Sequence, residues 1–448
     1  MVKRGFLVAL IAVIAVQMLS ACGKTSGDGA GDGELKVAET KTVKKDPVEL
    51  VIYFPFIADW SEEDFMKSFG EPLKRKYPHM TIKYIGGGPP GTKVPEILAA
   101  GQAIDIMFAS IGATPGNLLD NALQYDITPL IKSHNYDLST LNPSMVDMAK
   151  KLGNGAIYGL PVYVPPSAIY YNKDIFDKFG VPYPKAGLTW DDMFEMNKKL
   201  TRKDNETQYV GMGSSYNHMA LMNQRTLSLV GTESKKPMFG NDDRWKQWGE
   251  NLLRFYKTPG YEVYSKALSE PNERNRFFKD RVVAMFLALT ALHQKSEIND
   301  MNWDIATFPS FADQPGVGPQ PYPTYFYITL TSKHKDDAFD AIAYFASDEF
   351  QMERSKEGRF LTTSNNKAVR DAFGKDNPMY QGKNVKALQP DKYASPSDVN
   401  KYNTVAADDL TAAMKLVIQG TKDLNTALRE AEETTTKKIQ EKEAAASK

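Results

Sequence analysis

Gly159-Leu160-Pro161-Val162-Tyr163-Val164-Pro165-Pro166-Ser167-Ala168-Ile169-Tyr170-Tyr171-Asn172-Lys173-Asp174-Ile175-Phe176 lies in mid-chain and decides how the rest is read. Pro161, Pro165 and Pro166 each fix φ, remove a backbone donor and push the preceding residue toward extended geometry. That excludes a helix and argues against a central strand. Ser167 to Tyr171 then supply a short β-branched and aromatic strand. Asn172-Lys173-Asp174 opens a helix whose apolar side starts at Ile175, Phe176 and Phe179. A stiff extended connector that feeds a fresh strand-and-helix unit suits a chain passing between two lobes. An edge strand entering one continuous domain is the alternative, and these residues alone leave both open.

At 448 residues the chain exceeds one ordinary core, so two domains are expected. Its 55 basic and 55 acidic residues balance, which argues against nucleic acid as a partner. The 22 Tyr, 22 Phe and 5 Trp can serve as core or as stacking surface.

At the N-terminus Lys3-Arg4 precede an apolar run, Phe6 to Val16, too short to span a bilayer and shaped like a secretory signal. The run ends in Leu19-Ser20-Ala21-Cys22, which resembles the lipobox of bacterial lipoproteins. Cys22 is the chain's single cysteine, so it cannot close an internal disulfide. Lipidation of Cys22 accounts for the position, the solitude and the motif together. Residues 1–21 then read as the lipoprotein signal peptide and 22–46 as a flexible polar tether. The body is expected to be anchored to a membrane rather than to span it, and to work outside the cytoplasm. The long tether favours a Gram-positive surface over a periplasm.

The body opens on Val48 to Phe54, a run of the kind that forms a strand in a parallel sheet. Ser61 and Asp64 then form a capping pattern ahead of a helix with Phe65, Phe69 and Leu73 on one face. Thr81 to Ile85 is a second strand, Val94 to Ala100 a short helix, and Ile104 to Ala109 a third strand. This alternation argues for βαβ units, with ligands beyond the carboxyl ends of the strands. The loops at 55–60 and 110–114 are then one lobe's share of a site. Gly86 to Gly91 is a plain loop, since its prolines remove donors that a phosphate needs.

Past the mid-chain stretch, Thr189 and Asp192 make a capping box, with Met193, Met196 and Leu200 on the buried face. Gly211 to His218 reads as a turn followed by a helix through Leu221 and Leu229. Trp245 to Tyr256 is an amphipathic helix. Strands are expected at Val282–Phe286, Trp303–Pro309 and Thr324–Leu330, helices at Asp336–Phe345 and Phe350–Glu357, and a helix from Ala406 to the end.

Chemistry-bearing patterns are sparse. His79, His134, His218, His293 and His334 show no metal-ligand spacing, and there is no HExxH. No G-x-S-x-G elbow occurs. Glu62-Glu63 and Asp191-Asp192 open helices, where acids suit the dipole better than they suit glycosidase chemistry. No cofactor or metal is expected. An exported, tethered, two-lobed chain with aromatic loops fits a receptor for a small polar solute. Aromatic faces cover a sugar's C–H side, while Asp, Asn, Ser and Arg satisfy its hydroxyls.

Five stretches, in this order, resemble the extracellular solute-binding proteins, family 1, the carbohydrate-binding lipoproteins of ABC importers. Ala99-Ala100-Gly101-Gln102-Ala103-Ile104-Asp105-Ile106 resembles a strand entry in which Ile104 replaces the usual Pro. Gly159-Leu160-Pro161 through Tyr171-Asn172-Lys173-Asp174-Ile175-Phe176 and Thr189-Trp190-Asp191-Asp192 is similar to the family's first crossing and the helix after it. Phe278 to Met285 resembles "F-x-x-G-K-x-A-M", with Asp280 in place of Gly. Trp303 to Pro309 resembles the second crossing, and Ala341 to Phe350 the helix pair after the returning strand.

The resemblance implies an α/β, two-lobed periplasmic-binding-protein-like fold (type II) with discontinuous lobes joined by hinge strands. Residues 48–163 and 308–355 would form lobe 1, and 164–307 with 356–440 lobe 2. It also implies a non-catalytic, monomeric receptor with a carbohydrate ligand and the permease subunits of an ABC transporter as partners. Trp190, Trp303, Asn172 and Asp105 would be structural. Candidate ligand contacts are Phe56, Asp59, Trp60, Ser110, Tyr163, Tyr216, Asn217, Leu289, Thr290, Tyr322, Tyr325 and Arg359, led by Trp60 and Tyr163. Related sugar binders often carry a Trp after the Ala-Met strand. Leu287-Ala288-Leu289-Thr290-Ala291 has none, which counts against a simple linear maltodextrin. The alternatives are an exported polysaccharide-processing enzyme, a surface scaffold, or a receptor for a peptide, polyamine or iron.

Overall fold

The computed structural model describes residues 45–57, 60–240, 242–289 and 296–446. The expected signal peptide, Cys22 and nearly all of the tether lie outside them. Among the described residues the strands are β1 (Val48–Phe54), β2 (Met80–Gly86), β3 (Ile106–Ser110), β4 (Gly159–Val164), β5 (Ala168–Asn172), β6 (Arg202–Asp204) and β7 (Thr207–Ser214). After these come β8 (Val283–Ala288), β9 (Trp303–Thr307), β10 (Val317–Gly318), β11 (Thr324–Ile328), β12 (Leu361–Thr362) and β13 (Lys392–Tyr393). They form two sheets, β12-β4-β11-β3-β1-β2 and β6-β7-β8-β5-β9, with a small β10-β13 pair. The fold is α/β with two lobes, one per sheet.

In the first sheet β1 pairs in parallel with β2 and β3, with helices over 62–76 and 94–99 in the connections. β11 then enters antiparallel between β3 and β4. Both faces are covered, and the period of two shows in β1. Leu50, Ile52 and Phe54 join a cluster with Phe69, Phe108 and Phe326, whereas Tyr53 joins Ile97, Met107 and Tyr327 on the other side. Phe108 stacks between Phe54 and Phe326, with ring centroids 4.4 and 4.6 Å away. Phe69 faces Phe345, Phe350 and Phe360 from the helix side, all within 5.7 Å.

The second sheet has β5 at its heart, antiparallel to β8 and β9. Met285 and Leu287 of β8 face a cluster built on Trp190, Trp245, Trp248, Leu410 and Met414, while Phe286 and Ala288 face Tyr170, Phe277 and Trp303. Both anticipated N-caps form. The Ser61 hydroxyl accepts the Asp64 N–H at 3.1 Å, and Thr189 and Asp192 cap each other reciprocally. Asn172 caps the next helix by accepting the Asp174 N–H at 3.0 Å.

Four expectations differ from the structure. Pro161 sits in β4, which is interior to its sheet, between β11 and β12. The ladder tolerates it because the register slips there, pairing Pro161 with Tyr325 but Tyr163 with Thr324. Residues 211–214, read as a turn, belong to β7. Gly211 lacks a side chain because a Cβ there would lie 2.5 Å from the Asn197 Cα of the helix packed on the strand. The helix after it ends at Leu221 and does not reach Leu229. The C-terminal run is two helices, Asn403–Ile418 and Leu424–Ala446, broken near Gly420 at φ 71°. No helix among the described residues is long and apolar enough to cross a membrane.

Glu273 is fully buried against the second sheet, held by Arg276 at 3.1 Å and by the Leu268 N–H at 3.3 Å. Burial pushes its carboxyl up to about 7, against the opposing pull of those two partners. The folded chain therefore holds a proton that the unfolded chain has released between the ordinary value of 4.5 and about 7. The stability from that proton is present at acid pH and is lost as pH rises through the window. Relative to Glu273→Gln, the wild type should lose about 2–4 kcal/mol of unfolding free energy between pH 4.5 and 7.5. Parallel denaturant-derived stability curves would refute this.

Candidate functional site

The carboxyl end of β3, Ser110-Ile111-Gly112, turns toward the second lobe. Opposite it stand the helix Tyr216–Leu221, which follows β7, and the start of the helix Asn403–Ile418. Between them lies a narrow recess open to solvent, bordered by Gly112 and Met148 on one side and by Leu221, Asn403 and Thr404 on the other, with Tyr322 in the wall. The Thr404 hydroxyl donates to the Gly112 carbonyl at 3.4 Å, so this face of the C-terminal helix addresses β3 directly.

Tyr322 packs against the cores of both lobes. Its hydroxyl is hydrogen-bonded to the Ser110 side chain and the Gly112 backbone, and burial nevertheless holds its pKa above the usual tyrosine value. Gly112 makes that approach possible, because a Cβ there would fall 1.8 Å from the Tyr322 hydroxyl oxygen. The ring also stands edge-on to His218, centroids 6.1 Å apart. His218 Nδ1 lies 2.7 Å from the Ser215 hydroxyl, and burial pushes the imidazole down to about 4, so it is neutral at pH 7. Beside it the Asn217 amide donates to the Asp408 carboxylate.

Ser110 and Tyr322 therefore lie where the lobes face each other, and Asn217 bonds to Asp408 within the second lobe. Phe56 is at the rim beyond β1, 48% exposed. Trp60, Tyr163 and Arg359 come together as one stack. The indole N–H donates to the Tyr163 hydroxyl at 3.1 Å, and the Arg359 guanidinium lies 5.5 Å above the Trp60 ring while binding Ser68 and Asp64. Trp60 is buried and Tyr163 half-buried, so the indole is largely a packing element. Tyr216, Leu289 and Tyr325 are core residues rather than loop tips: Tyr216 packs edge-on to Trp248, and the Tyr325 hydroxyl donates to the Met145 carbonyl at 2.6 Å. Asp59 and Thr290 lie outside the described residues. Gly112 falls in the expected loop at 110–114, whereas His218 and Thr404 were not anticipated.

Two lobes with a polar recess between them define a solute-binding architecture. The model of the bacterial extracellular solute-binding protein family matches residues 59–352, and the chain belongs to that family. Among solved structures, a sugar transporter of Rhizobium etli in an open conformation superposes with a TM-score of 0.69 at 21% identity, covering 87% of this chain and 99% of that one. An ABC substrate-binding protein of Listeria monocytogenes in complex with cycloalternan gives 0.67 at 20% identity, covering 88% and 100%. An uncharacterized ABC transporter extracellular-binding protein of Pyrococcus horikoshii is 26% identical over 197 residues, 43% of this chain and 43% of that protein. The chain spans about half the length of the curated relatives it matches.

The Gly112–Tyr322 contact is open to test by a double-mutant cycle in denaturant. Gly112→Ala should destabilise by about 1–3 kcal/mol through overpacking, and by much less in a Tyr322→Ala background. Simple additivity would mean that the two residues do not oppose each other.

Proposed function

We propose that this protein is an extracytoplasmic receptor of an ABC importer that captures a sugar or oligosaccharide between its lobes and delivers it to the permease. The observation that carries this reading is the recess at the end of β3, walled by Tyr322 and bordered by Asn403 and Thr404 from the other lobe, with His218 edge-on to Tyr322. Hydroxyl, amide and neutral imidazole groups are the donors and acceptors that a saccharide requires, and Phe56 adds an exposed aromatic face at the rim. Sugar-bound relatives with the same fold support the ligand class. Binding would act by shifting the population between open and closed lobes, with no bond made or broken. A lipid at Cys22 would hold the monomeric body to the cell membrane through the tether, at a Gram-positive surface rather than in a periplasm.

The test is a thermal-shift screen of the body from residue 47 onward against mono- and oligosaccharides. A sugar at 100 times its Kd should stabilise the folded state by about 2.7 kcal/mol. Small-angle scattering should show contraction, with the sugar recovered intact. If no glycan moves the melting temperature, the receptor reading fails. Separately, Cys22→Ser should abolish incorporation of a clickable fatty acid and release the protein from the membrane fraction. Unchanged incorporation would remove the anchor.

A further inference from the structure

Between β13 and the helix Asn403–Ile418 the chain runs as a strap, residues 394–402, and Ser397, Asp398, Val399 and Asn400 form one wall of the recess. Its seat is the second lobe. The Thr226 hydroxyl donates to the Ser395 carbonyl at 3.0 Å, the Asp398 N–H to the Ser228 hydroxyl at 3.2 Å, and the Asn400 amide to the Gly231 carbonyl at 3.3 Å. The Ser397 N–H donates to the Gln320 side chain at 2.6 Å, and Gln320 in turn donates to the Met222 and Asn223 carbonyls. Tyr402 ends the strap by burying its ring in that lobe's core.

The first lobe meets the strap from the other side. Lys151, in the last turn of the helix Pro143–Leu152, donates to the Pro396 carbonyl at 2.6 Å. A lysine in that position ordinarily serves the free carbonyls of its own helix, whereas this one reaches across to the other lobe. Val399 packs against the first lobe's cluster of Met107, Met148 and Tyr327. Parting of the lobes affects the two sets of contacts differently. The bonds to Thr226, Ser228, Gly231 and Gln320 travel with the second lobe and survive. The Lys151–Pro396 bond and the seat of Val399 exist only while the lobes meet. A contact made in one of two states shifts the balance between them by its own free energy.

We propose that the strap is an interlobe latch: Lys151 and Val399 hold the first lobe against it and set the balance between closed and open lobes before any solute arrives. A larger closed fraction raises the apparent affinity for whatever the closed cleft holds, without the latch touching it through Lys151. The inference concerns the two lobes alone and goes beyond the receptor reading.

The test measures, without sugar, the distance between one spin label on each lobe by pulsed electron resonance. Cys22→Ser removes the chain's single thiol, so Lys74→Cys on a first-lobe helix and Gln247→Cys on a second-lobe helix carry the labels. The labelled parent should show a short-distance population. Lys151→Met, which keeps most of the side chain's length and loses its ammonium, should lower the ratio of short to long distances by about three- to tenfold. Val399→Ser should lower it too. Lys150→Met removes the same charge from the neighbouring residue and should leave the ratio as in the parent. A parent with only the long distance overturns the latch, as does an unchanged ratio in either strap-contact variant. Opening of Lys150→Met as far as Lys151→Met also overturns it, because charge alone would then be the cause. With a glycan that binds, Lys151→Met should weaken affinity by the same factor, and saturating sugar should restore the parent's short distance. If no glycan binds, the receptor reading fails while the distance ratios still decide the latch.

Discussion

A buried carboxylate, Asp105, is the tie on which the first lobe depends. One of its oxygens accepts the Val51 N–H at 2.9 Å and the other the Ser332 hydroxyl at 2.6 Å. Its own N–H donates to the Val51 carbonyl, and its carbonyl accepts the Thr329 N–H. One residue therefore joins β1, the entry to β3 and the turn that leaves β11. The strand that completes this sheet arrives more than 200 residues after β3, once the chain has built most of the other lobe. Satisfying four hydrogen-bonding groups at one buried point is a strong constraint on where that returning strand can dock, because each group left unpaired costs about 1–3 kcal/mol.

With β11 fixed, the geometry of the crossings follows. The chain leaves the first sheet at Val164 and enters the second at Ala168, and the Ser167 N–H bonds to the Leu388 carbonyl between them. It comes back after β9, where Gln224 accepts from the Trp190 indole and donates to the Pro309 and Val317 carbonyls, pinning the return path to the second lobe. A third pass, through β12 and then β13, lies beside the first two: Gln389 bonds the Thr362 carbonyl, and β13 pairs with β10. Segments distant in sequence are thereby stacked where the lobes join, leaving the ends of β3 and β7 facing across the gap.

Much of this was legible locally. Caps such as Ser61 and Thr189 depend on atoms within three residues, and β1 or β8 announce themselves through continuous apolar runs. β7 was missed because its glycines read as a turn. They are absences that Asn197 and the sheet require, and Asn197 lies outside any local window. The aromatic candidates could not be placed from local sequence for a related reason. Tyr216, Tyr325 and Trp60 each carry an apolar body with a polar tip, and a rim site or a core site suits them equally until the tip's partner is known. For Tyr325 the partner is a carbonyl at Met145, and for Trp60 it is Tyr163.

Tyr322 shows how the two cores bear on each other. Pro321 and Pro323 flank it and restrict its backbone, and β11 begins at Thr324, so the residue is carried by the first lobe's sheet. Its bonds to Ser110 and Gly112 lie within that lobe and would persist if the lobes parted. The edge-on contact with His218 and the Thr404–Gly112 bond would not, because His218 and Thr404 belong to the other lobe. A ligand that touches only Ser110 and Tyr322 gains nothing from closure, since both are present in either state. A ligand favours closure only through groups that reach it when the lobes meet, so its preference for the closed state would have to come from the second lobe's side of the cleft, where His218 and Thr404 stand.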